Sequence, residues 1–265
     1  SSHFFFFFTD TVNTYIVAEL MGEGLLKLAL RALEGFINSL FQLMAVPLQS
    51  PDYSCISKRA KTVDIKYRLP SQGPVAHLVI DATGLKVYGE GEWKIRKHGK
   101  EKRRVWRKLH LAVDATTHAV IAAEVSLETV ADNEVLPTLL NPLRRKIKQV
   151  SADGAYDTKA CHALLKKKGA KATIPPRKNA APWEEDHPRN EAVTALKAGE
   201  LKQWKKDSGY HQRSIAETAM YRFKQLIGPT LSLRNYNAQV GEILAGVKVM
   251  NKLIGLGMPV RQPVN

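Results

Sequence analysis

Cysteine is scarce in this chain. Only Cys55 and Cys161 occur among 265 residues, far apart in the sequence. They form no CxxC pair and no zinc spacing, so a disulfide framework is not expected. A reducing compartment is the default. Long apolar runs are also missing: no stretch reaches the roughly 18 residues of a membrane span. The five phenylalanines at 4–8 have no basic leader, and they are shorter than the about 7–15 residues of a signal-peptide core. They have no assigned role. Acidic residues are few: 25 Asp and Glu stand against 40 Lys and Arg, a net charge of +15 with a sequence pI of about 9.8. That imbalance concerns partners rather than fold, and it favours nucleic acid or an anionic surface. No internal repeat is visible.

What remains is ordinary soluble composition, with 44% apolar residues. The length allows one large domain, or one domain with a small companion. Up to residue 24 there is little pattern. Leu25, Leu28, Leu33, Phe36, Ile37, Leu40, Phe41 and Met44 then recur at helical spacing, and Pro47 and Pro51 end that helix. Asp52 or Ser54 can cap a short helix carrying Lys58, Arg59 and Lys61. Residues 1–70 therefore read as a helical N-terminal region. It is either a helix-turn-helix-like DNA-binding unit or a helical hairpin with a basic end. SQGP at 71–74 reads as a linker.

From 75 to 257 the pattern is α/β. HLVI at 77–80 is a buried strand running into Asp81. The stretches 105–113 and 119–127 alternate about a turn at 114–118, which predicts a hairpin. A helix follows at 133–146, broken by Pro142. A short strand at 149–152 ends at Asp153. Asp157 is expected to cap a helix over 158–168, and a strand follows at 171–174. The polar segment of about 176–208 reads as an insertion. Helices are expected at 210–224 and 236–254. This order predicts a mixed sheet flanked by helices.

Two acids, Asp81 and Asp153, are expected at strand ends, where an open α/β sheet has its crevice. In the stretch YHQRSIAETAMYRFK, Tyr210, Arg213, Glu217 and Lys224 are offset by 0, 3, 7 and 14. On one continuous helix they share a face, opposite Ile215, Ala219, Phe223 and Leu226. A solvated face with an Arg213–Glu217 pair would explain this stretch alone. Aspartates are also common caps. Three carboxylates with no His or Cys among them suit a hard cation, Mg²⁺ or Mn²⁺. Two such ions about 3.5–4 Å apart serve phosphodiester chemistry.

The stretches HLVIDATGLKVYGEGEWK, RRVWRKLHLAVD, SADGAYDT, IPPRK and YHQRSIAETAMYRFKQL resemble the bacterial insertion-sequence DDE transposases of family five. The last holds that family's Y-x2-R-x3-E-x6-K signature. The resemblance runs from about residue 28 to 259. It implies a ribonuclease-H-like core, with Asp81, Asp153 and Glu217 as the catalytic, metal-binding triad. It also implies Tyr210, Arg213 and Lys224 as residues that hold DNA phosphates. Before residue 25 the chain departs from the pattern, so a shortened or altered N-terminus is expected.

Basic residues complete the reading. KIRKHGKEKRRVWRK at 94–108 supplies Lys94, Arg96, Lys97, Lys102, Arg103, Arg104, Arg107 and Lys108, beside Trp93 and Trp106. Extended by Lys166, Lys167, Lys168, Arg177 and Lys178, these form an expected phosphate track, while base reading is assigned to residues 54–61 with Lys58 and Arg59. The expected activity is metal-dependent cleavage at element ends and strand transfer into target DNA. Double-stranded DNA is the partner, a homo-oligomer assembles on it, no membrane is involved, and the setting is the bacterial cytoplasm beside the nucleoid. The alternatives are a ribonuclease-H-like nuclease that only hydrolyses, and a non-catalytic DNA-binding remnant.

Overall fold

A computed structural model describes residues 26, 28–63, 67–69, 73–87 and 105–257. The chain forms two compact units, each discontinuous in sequence: 1–67, 85–106 and 223–265 make the first, and 68–84 and 107–222 the second.

In the first unit, α1 (Leu30–Leu43) and α2 (Tyr53–Arg59) are joined by residues 44–52. This link is longer than the about 3–4 residues of a helix-turn-helix turn. Polar anchors hold it: Glu34 accepts from the Tyr53 N–H at 2.9 Å, and Asn38 from the Ser50 N–H at 2.8 Å. Asp52 caps α2 by accepting from the Ser54 N–H at 2.7 Å. The second strand, β2 (Val75–Val87), ends in this unit, where it runs parallel to the short β7 (Thr230–Leu231). The last helix spans Tyr236–Gly255, with Asn235 as its cap.

The second unit is built on a mixed sheet ordered β4-β3-β2-β5-β6. β3 (Trp106–Asp114) and β4 (Val120–Leu127) form the expected antiparallel hairpin. The Asp114 carboxylate turns it by accepting from the Thr116 N–H, as a short polar side chain readily does. β2, β5 (Ile147–Ser151) and β6 (Lys171–Thr173) run parallel. Leu69, directly after the short strand β1 (Tyr67–Arg68), bonds to β4 from its N–H to the Ile121 carbonyl at 3.0 Å.

Side chains alternate across a strand, and this sheet uses its two faces differently. Leu78, Ile80 and Val150 join a buried cluster with Leu136, Leu139 and Leu140 of α3 (Asp132–Leu140) and Leu165 of α4 (Lys159–Lys167). The opposite alternation buries the polar His77, Ser151 and Thr173 beside the apolar Val79. α3 stops before Pro142, as expected.

Three expectations need correction. β2 does not end at Asp81 but runs through it to Val87. Asp81 instead lies just past the last β5 pairing, Val79 with Ser151. Thr158, not Asp157, caps α4, accepting from the Cys161 N–H at 3.2 Å. The stretch 210–224 is not one helix: Tyr210–Arg213 is a 3₁₀ turn, and α7 begins at Ser214 and ends at Leu226. The segment read as an insertion carries two helices of its own, α5 (Arg189–Lys197) and α6 (Leu201–Asp207).

Candidate active site

Strand alternation puts Asp81 on the same face of β2 as His77. One Asp81 oxygen accepts from the Ala82 N–H at 2.9 Å, and the other accepts from Arg213 at 2.6 Å. The other terminal nitrogen of Arg213 binds Glu217, one helical turn on. One guanidinium therefore bridges two of the three expected acids. Asp153 lies two residues past Ser151, the end of β5, and caps the 3₁₀ turn Gly154–Tyr156, accepting from the Ala155 N–H at 2.9 Å. The expected site and the plain capping role thus meet in one residue.

Electrostatics bring Asp153 into the same site. Burial pushes the Asp81 carboxyl above its ordinary range, and the Asp153 charge pushes it the same way against Arg213. Burial works against the Arg213 charge, but Asp81, Tyr210 and Glu217 outweigh it and hold the guanidinium pKa up. The Tyr210 phenol is raised, first by burial. Its ring lies 5.9 Å from the Arg213 guanidinium carbon and 5.2 Å from the Lys205 ammonium. Glu217 is the open member of the group, its side chain 55% exposed against 17% for Asp81.

Among the described residues no group of three or more His, Cys, Asp or Glu is arranged to hold a metal. The bridge explains this physically: Arg213 occupies the oxygens that Asp81 and Glu217 would turn to a cation. The donor set still fits a divalent ion. It is all oxygen, and the repulsion that Asp153 exerts on Asp81 is what a shared cation would relieve.

The other expected contacts sort differently. Lys224 is half-buried, on the part of α7 that belongs to the first unit. Lys108 is engaged inside the fold, donating to the Val130 carbonyl at 2.8 Å and pairing with Asp132 at 3.0 Å. Arg107 is half-buried and Lys58 and Arg59 are exposed. Lys94, Arg96, Lys97, Lys102, Arg103 and Arg104 lie outside the described residues, as do the phenylalanines at 4–8. On α7 the buried residues are Ala216, Ala219, Met220 and Phe223, while Leu226, expected to be buried, is 38% exposed.

Two supports escaped the sequence reading. The Arg177 guanidinium donates to the carbonyls of Gly154 and Ala155, both at 3.2 Å, and so braces the turn that Asp153 caps. Asp157 is buried and takes two bonds from Arg189, at 2.5 and 2.6 Å. Burial pushes the Asp157 carboxyl up, but Arg189 and the neighbouring His162 outweigh it and hold the pKa at about 2. A second acid four residues after Asp153 was the available signal, and it was read as a cap instead.

Comparison with known proteins bears on this site. Residues 74–251 match a family model described as "Transposase DDE domain", and residues 7–90 match a second model of the same description. Among solved structures, the chain is similar to a piggyBac transposase in a synaptic complex with hairpin DNA. That match is 13% identical at a TM-score of 0.39, over 71% of this chain and 50% of the other. It is also similar to a chain of a simian T-cell lymphotropic virus intasome in complex with PP2A regulatory subunit B56 gamma. There the identity is 15% and the TM-score 0.32, over 80% of this chain and 66% of the other. The chain thus spans about half the length of the transposase and about two thirds of the intasome chain. Those two likenesses are too distant to argue from; the family model is not. It covers well over half of the chain and takes in Asp81, Asp153, Arg213 and Glu217, with the mixed sheet that carries them. The chain belongs to the DDE transposase domain family.

Proposed function

We propose that this chain is a DNA transposase that cleaves the phosphodiester at the ends of an insertion sequence and joins the freed 3′ hydroxyl to target DNA. The observation that carries this reading is the group Asp81, Asp153, Arg213 and Glu217, in which one guanidinium bridges two acids and the charge of the third acts on Asp81. Asp81, Asp153 and Glu217 would hold the divalent cations, Mg²⁺ or Mn²⁺, two in number. Bound there, such ions stabilise the attacking and the leaving oxygen. Arg213, with two donors in a fixed fork, is suited to move from carboxylate to phosphate. Tyr210 offers a phenol beside it, and Lys224 a further cation for the DNA backbone.

The finer family assignment, family five with the Y-R-E-K signature, rests on the quoted stretches. Residues 75–257 form the catalytic domain in this reading. Residues 1–70 read element ends through Lys58 and Arg59, and the basic stretch from Lys94 to Arg107 follows the phosphates. Assembly on paired DNA ends as a homo-oligomer in the bacterial cytoplasm completes the proposal. No helix among the described residues is long and apolar enough to cross a membrane.

The test uses the full chain, a duplex carrying the element's terminal repeat, a target plasmid and Mg²⁺. Cleavage followed by joining is expected, with both lost in Asp81→Asn. Cleavage without joining would make the protein a hydrolytic nuclease. Binding with neither would make it a DNA-binding remnant.

A further inference from the structure

The sheet face that carries Asp81 also buries polar side chains that the triad does not explain. His77 on β2 is buried, with 8% exposure, and each ring nitrogen has a partner on a different element. Nδ1 lies 2.6 Å from the Gln212 side-chain oxygen, and Nε2 lies 2.7 Å from the Ser151 hydroxyl. Ser151 ends β5, two residues before Asp153. Gln212 sits in the 3₁₀ turn, next to Arg213. One imidazole thus ties together the strand of Asp81, the strand leading to Asp153 and the turn holding Tyr210 and Arg213.

A second bond set repeats the pattern one register position away. Gln149, which pairs with His77 across β2 and β5, donates from its amide nitrogen to the Thr173 hydroxyl and the Ser208 carbonyl, both at 2.8 Å. Ser208 and Gln212 bracket Tyr210. Between them Gly209 adopts φ +71°, a left-handed backbone that glycine tolerates best. The turn is therefore pinned at both ends to the sheet.

We infer that His77, with Gln149 as its companion, is a positioning residue: a clasp that fixes the Tyr210–Arg213 turn against the strands of Asp81 and Asp153. The inference rests on the transposase reading above. With the Gln212 oxygen toward Nδ1, the ring carries its proton on Nδ1 and accepts the Ser151 hydroxyl hydrogen at Nε2. Burial keeps the imidazole pKa below its ordinary value, against the opposing Gln212 bond, which favours the neutral ring. An apolar strand face would pack without any such partners. Buried polar groups with every partner supplied fix one arrangement rather than many. Arg213 must stay within reach of both Asp81 and the phosphate it is proposed to take, and displacements of about 1 Å at such sites can cost about 100-fold in rate.

The experiment compares Gln212→Leu, His77→Leu and the double variant in the Mg²⁺-dependent cleavage assay. Gln212 is exposed, so its substitution removes no core packing. Each single variant is expected to lower cleavage turnover about 10- to 100-fold, with the KM for DNA changed less than about three-fold. The double variant is expected to be no worse than the weaker single one, because both remove the same tie. A readout independent of activity is the imidazole ¹⁵N spectrum of the full chain. It should show His77 protonated at Nδ1, with that signal shifted by Gln212→Leu. Additive losses, wild-type turnover in Gln212→Leu, or an unprotonated Nδ1 would overturn the clasp. A wild-type chain that does not cleave DNA would instead overturn the transposase reading, and the ¹⁵N spectrum would still decide the clasp.

Discussion

Asp157 and Arg189 form the buried ion pair of the second unit, with side chains 1% and 4% exposed. Arg189 also donates to the Ala181 carbonyl and lies 4.1 Å from the Trp183 ring centroid. Removing one partner of such a pair leaves an uncompensated charge, so Arg189→Ala should cost about 3–5 kcal/mol. Urea unfolding at pH 7 measures this, and a loss under about 1 kcal/mol would contradict it. The pH dependence follows from a folded-state pKa held down at about 2. Asp157 stabilises the fold above its unfolded value of about 3.9, and this contribution fades as pH falls through about 2. The Arg189→Ala deficit should therefore shrink in acid. Asp81 poses the opposite problem, a half-hidden carboxylate whose charge is opposed by its surroundings. Asp81→Asn should abolish cleavage yet keep DNA binding within a few-fold, because phosphate contacts rather than acids supply affinity. Filter binding beside the cleavage assay separates the two, and equal loss of both would make Asp81 structural.

Among the elements, the last helix meets α7 at Gly246. A Cβ there would lie 2.9 Å from the Ile227 methyl and 3.0 Å from the Phe223 ring edge. Alanine gains up to about 1 kcal/mol of helix propensity over glycine, but overpacking costs about 1–3 kcal/mol. Gly246→Ala should therefore be destabilised by about 1 kcal/mol, lowering Tm by a few degrees. A higher Tm would show that the contact relaxes freely. The short α2 presents Lys58 and Arg59 to solvent near its C-terminus. As the proposed reading element, Lys58→Ala with Arg59→Ala should weaken binding to element ends more than to random DNA, as competition binding would show.

For the molecule as a whole, the excess of 15 positive charges sets how the proposed DNA contact should respond to salt. Reversing Lys102, Arg103 and Arg104 should flatten the salt dependence of binding by up to about 0.9 per lost phosphate contact. The flattening should be equal for specific and random duplexes, because backbone contacts carry no sequence information. If the reversal instead abolished end preference and spared random binding, the 94–108 stretch would be the reader and α2 would not.

The local pattern of this chain was legible because it depends on near neighbours. The 114–118 hairpin turn, the break at Pro142, a cap at Asp52 and the place of Asp153 just past β5 follow from alternation, capping chemistry and spacing. The tertiary structure decided what depends on distant partners. A strand cannot announce that it continues past an acid, and β2 runs on through Asp81 to pair with β7 at Lys86 and Val87. Helical spacing cannot foresee that Gly209 and the two anchors of the 208–212 segment tighten the start of the Tyr210 stretch into a 3₁₀ turn. Asp157 was drawn from its expected cap into a buried pair by Arg189, 32 residues away. His77, four residues before Asp81, is one histidine in an apolar strand as a sequence. It becomes a tie among three elements only when β5 and the 3₁₀ turn bring Ser151 and Gln212 to its two nitrogens.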